Sequence, residues 1–162
     1  MEHIHITELS IFVEPLIERR ITLRLLAYWE KLREGRAMPS ENDVNPEDIS
    51  DLWDSCFMVQ VRDLAQAACK YSYLGTAIIE AYLGDLKDNE TNPVFSLDAK
   101  KLRRGYNRVI ESRRPVLEEG EFHNLRGDLV RYRQCLMPLG QGDKVEAIFG
   151  GMRCKLFTAE PS

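Results

Sequence analysis

The sequence predicts an α+β fold: a five-stranded antiparallel sheet with helices over one face and a long N-terminal flanking helix. Three observations predict it. Apolar residues recur with a helical period over residues 14–34, bounded by Pro15 and Gly35. The period then switches to two at Phe57, returns to helical spacing near residue 76, and switches to two again at Val116. From Val116 onward three alternating runs follow one another across short polar breaks, which is the pattern of an antiparallel meander. A chain of 162 residues fits one core, and no repeat or interdomain linker interrupts it.

The first helix opens at Glu14-Pro15, because proline suits the first helical turn. Ile17, Ile21, Leu25, Tyr28 and Leu32 make its apolar stripe, which Leu26 and Trp29 widen. Gly35 ends it. This helix and the loop after it, residues 1–44, are read as a flanking unit, residues 45–157 as the domain proper, and residues 158–162 as a frayed tail. Asn45 caps a short helix whose first position is Pro46, with Glu47 and Asp48 where negative charge complements the helix dipole.

Phe57, Val59 and Val61 alternate with polar or mixed neighbours as the first strand, and a second runs over about residues 69–74. Thr76 is expected to cap a helix over residues 77–83, and Ser96 a longer one carrying Leu102, Tyr106, Val109 and Ile110 on one face. The last strands cover residues 116–124, 129–139 and 145–156, with a turn at residues 140–143. Gly150-Gly151 inside the final strand marks a bulge or a close backbone approach.

Composition excludes several classes. With 44% hydrophobic and 30% charged residues the chain is neither disordered nor fibrous. No apolar run reaches the ~20 residues a bilayer span needs, and the start lacks a secretory pattern, so a cytoplasmic protein without a membrane partner is expected. Cys56, Cys69, Cys135 and Cys154 form no CxxC pair, so they read as free buried thiols and not as zinc ligands. Hydrolase and nucleotide-loop motifs are absent, and adjacent acids such as Glu118-Glu119 point to opposite faces of a strand. No enzyme is expected.

Two motifs carry a resemblance. Residues 28–39, Tyr-Trp-Glu-Lys-Leu-Arg-Glu-Gly-Arg-Ala-Met-Pro, followed by Asp43-Val44-Asn45-Pro46-Glu47-Asp48-Ile49, match a W-x-x-x-R-x-G-x-x-x-P and D-(I/V)-(D/N)-P-x-D-(I/L) signature. Weaker echoes are Tyr73-Leu74-Gly75-Thr76 and Leu136-Met137-Pro138-Leu139. Over about residues 24–156 the chain resembles the family of short single-PAS bacterial regulatory proteins, mostly alphaproteobacterial. The resemblance implies a PAS-type sheet and a non-catalytic sensor or adaptor in signal transduction. The chain departs from the family at Tyr73 and at Arg133-Gln134, where the family carries an acid, so no particular ligand is inherited. Haem ligation lacks an axial histidine on the long inner helix, and flavin adduct chemistry lacks its cysteine motif.

Three groups of residues are candidates for function. Phe57, Tyr71, Tyr73, Tyr82, Tyr106, Tyr132, Gln134 and Phe149 lie on elements that enclose a PAS interior, as packed core or as the lining of an apolar pocket. Lys100, Arg104 and Arg108 form a row at i, i+4, i+8 within a segment of charge +6, leaving −10 on the rest of the chain. That row is either a solvated helix face or a surface for a phosphorylated nucleotide or an acidic partner; DNA binding is disfavoured without a recognition motif. The stripe of the first helix must cover either the chain's own domain or a second copy; in the second case Ile17, Ile21, Leu25 and Leu32 are the contacts of a homodimer.

Overall fold

The computed structural model describes residues 14–62, 71–83 and 99–157, with backbone only at residues 14–20, 83 and 99–103. Helix α1 spans Glu14–Arg33, and Glu34 and Gly35 leave it in the left-handed region (φ 48° and 79°). Glycine adopts that conformation without penalty, so the helix ends there. The segment expected to be loop holds a 3-10 turn, Glu41–Asp43. Ser40 and Asp43 cap it reciprocally: the Ser40 side chain accepts from a backbone N–H of the turn, and Asp43 accepts from the Ser40 N–H. Two further 3-10 turns follow, Pro46–Ile49 and Trp53–Ser55; the first is capped by Asn45, whose Oδ1 accepts from the Glu47 N–H at 3.1 Å.

Strands β1 (Cys56–Gln60) and β2 (Tyr71–Leu74) form a hairpin. Helix α2 covers Thr76–Leu83 and α3 covers Ala99–Ser112; β3 (Val116–His123), β4 (Leu129–Gln141) and β5 (Lys144–Phe157) form the meander. The sheet order is β2-β1-β5-β4-β3, every pair antiparallel. Thr76 is the first residue of α2 and not its cap. Gly75 precedes the helix, its carbonyl accepting from Ile78 and Ile79. A Cβ at Gly75 would lie 2.1 Å from the Asp54 carbonyl oxygen, so only glycine lets the chain cross there. The expected cap Ser96 and Cys69 lie outside the described residues.

The sheet divides two apolar layers. On the inner face, under α2 and α3, pack Phe57, Val59, Ile78, Tyr82, Tyr106, Val109, Tyr132, Leu136, Ile148 and Met152. On the outer face, under α1 and the 3-10 turns, pack Leu25, Trp29, Met38, Ile49, Leu52, Cys56, Cys135, Met137 and Phe149. The helical stripe of α1 therefore covers the chain's own sheet, and Leu25 is fully buried there. Of the two coverings open to the stripe, Leu25 takes the chain's own sheet and is not available to a twin.

Gly150 and Gly151 receive one side chain on each face. A Cβ at Gly150 would strike the Phe57 ring, and one at Gly151 would sit 2.1 Å from Leu25 Cδ1. They are close approaches; the bulge alternative is not what occurs. Pro138 is tolerated in β4 because β3 ends opposite Leu136. Beyond that point the α1 region covers β4: Trp29 Nε1 donates to the Pro138 carbonyl at 2.8 Å, and the Gly140 N–H donates to the Pro39 carbonyl.

Candidate functional site

The inner face is built by alternation. On β4, Val130, Tyr132, Gln134 and Leu136 are all buried, as period two predicts for one face against the layer under α2 and α3. Tyr132 pairs across β3 with Gly120, so a residue without a side chain faces the ring. Tyr82 stacks on Phe122 with centroids 4.1 Å apart, Phe122 leans on Tyr132, and Phe57 meets Tyr71 edge-on at 5.6 Å. The Tyr71 and Tyr106 hydroxyls share a hydrogen bond of 2.5 Å. This face is aromatic, with hydroxyls set among the rings.

Its polar centre is Gln134, 3% exposed. Gln134 Nε2 donates to Glu118 Oε1 at 2.9 Å, across the β3–β4 pairing that sets the two residues opposite each other. Glu118 lies under α3 beside Gly105, and Arg108 Nη1 stands 3.9 Å from its other oxygen. Sequence reasoning passed over Glu118 because Glu118-Glu119 looked like a solvated pair. Their split between two faces was legible; the glycine at position 105 that makes room for the inner one was not.

Of the eight expected pocket residues, Phe57, Tyr71, Tyr82, Tyr106, Tyr132 and Gln134 lie on the inner face. The structure corrects the other two, which lie on the outer face. Tyr73 stacks on Trp53 at 4.3 Å and donates to the Trp53 carbonyl, its hydroxyl pushed up to about 12 by burial and by nearby Asp54. Phe149 joins the layer beneath α1. An irregularity of the β1–β2 register, where Met58 pairs with Tyr73 and Val59 with Tyr71, places these tyrosines on opposite faces despite their spacing of two.

The basic row lies on α3. Arg104 and Arg108 are exposed, and Arg104, Arg113 and Arg114 have no carboxylate partner among the described residues, whereas Arg24, Arg33 and Arg36 each have one. The Lys100 and Ile17 side chains lie outside the described part. A cleft of about 620 Å³ lies between α1, at Thr22 and Leu23, and the β3–β4 pair, where Glu118 and Gln134 also contribute to its lining. Its walls carry the exposed leucines Leu23 and Leu117 and the Arg133–Glu119 ion pair. Ile21 packs partly on the outer layer, and Leu32 is half-buried.

Cys56, Cys135 and Cys154 are free thiols. Burial pushes Cys135 up to about 12 and Cys56 in the same direction, so neither is a thiolate at neutral pH. Among the described residues no three His, Cys, Asp or Glu side chains gather as a metal site, and no helix is long and apolar enough to cross a membrane.

Comparison with known proteins places this geometry. No curated protein matches the sequence. Among solved structures the chain is similar to one described as an RNA-binding light-oxygen-voltage receptor, with 18% identity and a TM-score of 0.37. The similarity covers 61% of this chain and 28% of that one, so the chain spans just over a quarter of the receptor's length. The sequence matches the PAS domain family over residues 17–153, which takes in all but the first three residues of α1, strands β1 to β4, both inner helices and all but the last four residues of β5. The chain belongs to the PAS domain family, whose members are sensory and signalling domains.

Proposed function

We propose that this chain is a non-catalytic sensor or adaptor domain of cytoplasmic bacterial signal transduction. It holds a small molecule against the inner face of the sheet and passes occupancy on through its surface. The observation that carries this reading is Gln134, a polar side chain enclosed among the aromatic and aliphatic residues of the inner face, with Glu118 bonded to one end of its amide. Interior packing alone favours an apolar residue there, because a buried amide must find partners for both of its ends. A thermal-shift screen of metabolites tests it. A ligand at 100 times its dissociation constant adds about 2.7 kcal/mol of stability, a shift of several degrees for a domain of this size. A screen in which no compound stabilises the protein favours the alternative, a ligand-free dimerising scaffold.

A second reading rests on α3. Arg104, exposed and without a carboxylate partner among the described residues, suits a phosphorylated nucleotide, since Arg binds phosphate through two parallel hydrogen bonds. Calorimetric titration with guanine and adenine polyphosphates decides it. Binding that survives Arg104→Glu unchanged removes the α3 site.

A homodimer remains part of the proposal. With Leu25 taken by the chain's own core, the twin reaches the cleft beside α1, whose two exposed leucines give a second copy apolar surface to cover.

A further inference from the structure

Gln134 is asymmetric in a way that bears on what it recognises. Its Nε2 donates to Glu118 Oε1, and its Oε1 is enclosed with no hydrogen-bond donor among the described residues. An ionised carboxylate only accepts, so the orientation of the amide is fixed. Turning it over would set two acceptor oxygens face to face. α3 passes close to the carboxylate, since a Cβ at Gly105 would come within 2.5 Å of Glu118 Oε1, and Arg108 Nη1 stands 3.9 Å from the second oxygen.

Among the described residues, those next to Gln134 on its own face supply no donor to Oε1. Tyr132 and Leu136 flank it along β4, and Met152 lies opposite on β5. The Tyr106 hydroxyl of α3 is engaged with Tyr71. Buried carbonyl oxygens are almost always bonded, and one held open costs the desolvation of that group with no return.

We infer that Gln134 Oε1 is the acceptor for an N–H or O–H group of the inner-face ligand, and that the ligand is a flat, largely apolar molecule with a hydrogen-bond donor on its edge. The aromatic surroundings of Tyr82, Phe122 and Tyr132 favour a planar body. Glu118 beside the amide disfavours an anion or an acceptor-only edge at this point, because two fixed oxygens would face it. The inference rests on the inner-face reading and adds the chemistry that the face selects.

The probe pair is indole and benzofuran, two rings of one shape that differ by an N–H donor against an acceptor oxygen. Binding is followed by NMR on protein carrying 13C-labelled glutamine, so that the Gln134 side-chain carbonyl reports directly. Indole is expected to bind about tenfold more tightly than benzofuran and to move that resonance. In the near-isosteric Q134M the two are expected to bind within about threefold of each other, because the acceptor is gone. Equal binding to the unaltered protein overturns the donor inference while leaving an inner-face ligand site in place. A preference that persists in Q134M overturns it too, since the donor then meets another group. Failure of both probes overturns the ligand class proposed here, and the metabolite screen then judges the parent reading independently.

Discussion

The seating of α1 on the sheet can be tested through one contact, Leu25 against Gly151. Leu25 is fully buried, and its Cδ1 lies 2.1 Å from where a Cβ at position 151 would stand. Carbon atoms rest at about 3.5–4.0 Å, so a methyl at 151 intrudes by roughly 1.5 Å and the leucine or the helix must move. Overpacking of this kind costs about 1–3 kcal/mol, partly offset by the ~0.5–1 kcal/mol gained when glycine is replaced inside a strand. Gly151→Ala should therefore destabilise by about 1–2 kcal/mol, and Leu25→Ala by about 3 kcal/mol through lost burial and a cavity. Together they should not add. The methyl introduced at position 151 enters the space that Leu25 vacates, recovering about 0.8 kcal/mol of burial besides the backbone gain. The double variant should thus be more stable than Leu25→Ala alone, with a coupling of about 2–3 kcal/mol. Urea unfolding followed by the fluorescence of Trp29 and Trp53, with circular dichroism to confirm the helix, measures all four corners of the cycle. Additivity within about 0.5 kcal/mol would refute the reasoning, because independent sites behave that way.

Other consequences are as direct. Trp29→Phe removes the donor to the buried Pro138 carbonyl and should cost about 1–3 kcal/mol in the same urea assay; a loss under about 0.5 kcal/mol would mean water replaces the indole. Asn124→Ala should cost about 2 kcal/mol, since its side chain ties the β3–β4 turn to Ala81 of α2 and caps two backbone N–H groups of the turn. Burial raises Cys56 and Cys135 above the unfolded thiol value, so the unfolded chain ionises first. Stability from these thiols is whole below about pH 8.5 and is lost as pH rises toward 12, which pH-dependent unfolding can follow; Cys56→Ala/Cys135→Ala should flatten that decline. Leu117→Glu, on the cleft beside α1, should give a monomeric mass in light scattering with unchanged thermal stability, and an unaltered mass would reject the cleft as the twin's contact.

Much of the fold was legible in the sequence for physical reasons. Pro15 and Gly35 act locally, so α1 could be bounded without knowing what it packs against. Alternation placed Tyr132, Gln134 and Leu136 on one face because β4 has a buried side and, over its first half, a half-exposed one. The same reasoning failed for Phe149. The middle of β5 is buried on both sides, so its residues are apolar in succession and the phase of the alternation carries no information. Tyr71 and Tyr73 escaped for another cause, a register irregularity that only the pairing with β1 reveals. The destination of the α1 stripe was equally hidden. An amphipathic helix announces that it must be covered, and Gly151, far along the chain on β5, decides what covers it.

The central claim is that the inner face holds a small molecule. Native mass spectrometry of the protein taken quickly from its cells tests it most directly. A bound mass beyond the polypeptide is expected, released on denaturation and reduced or absent in Q134M. The bare mass of the chain in the native spectrum, together with an equal result for Q134M, would contradict it.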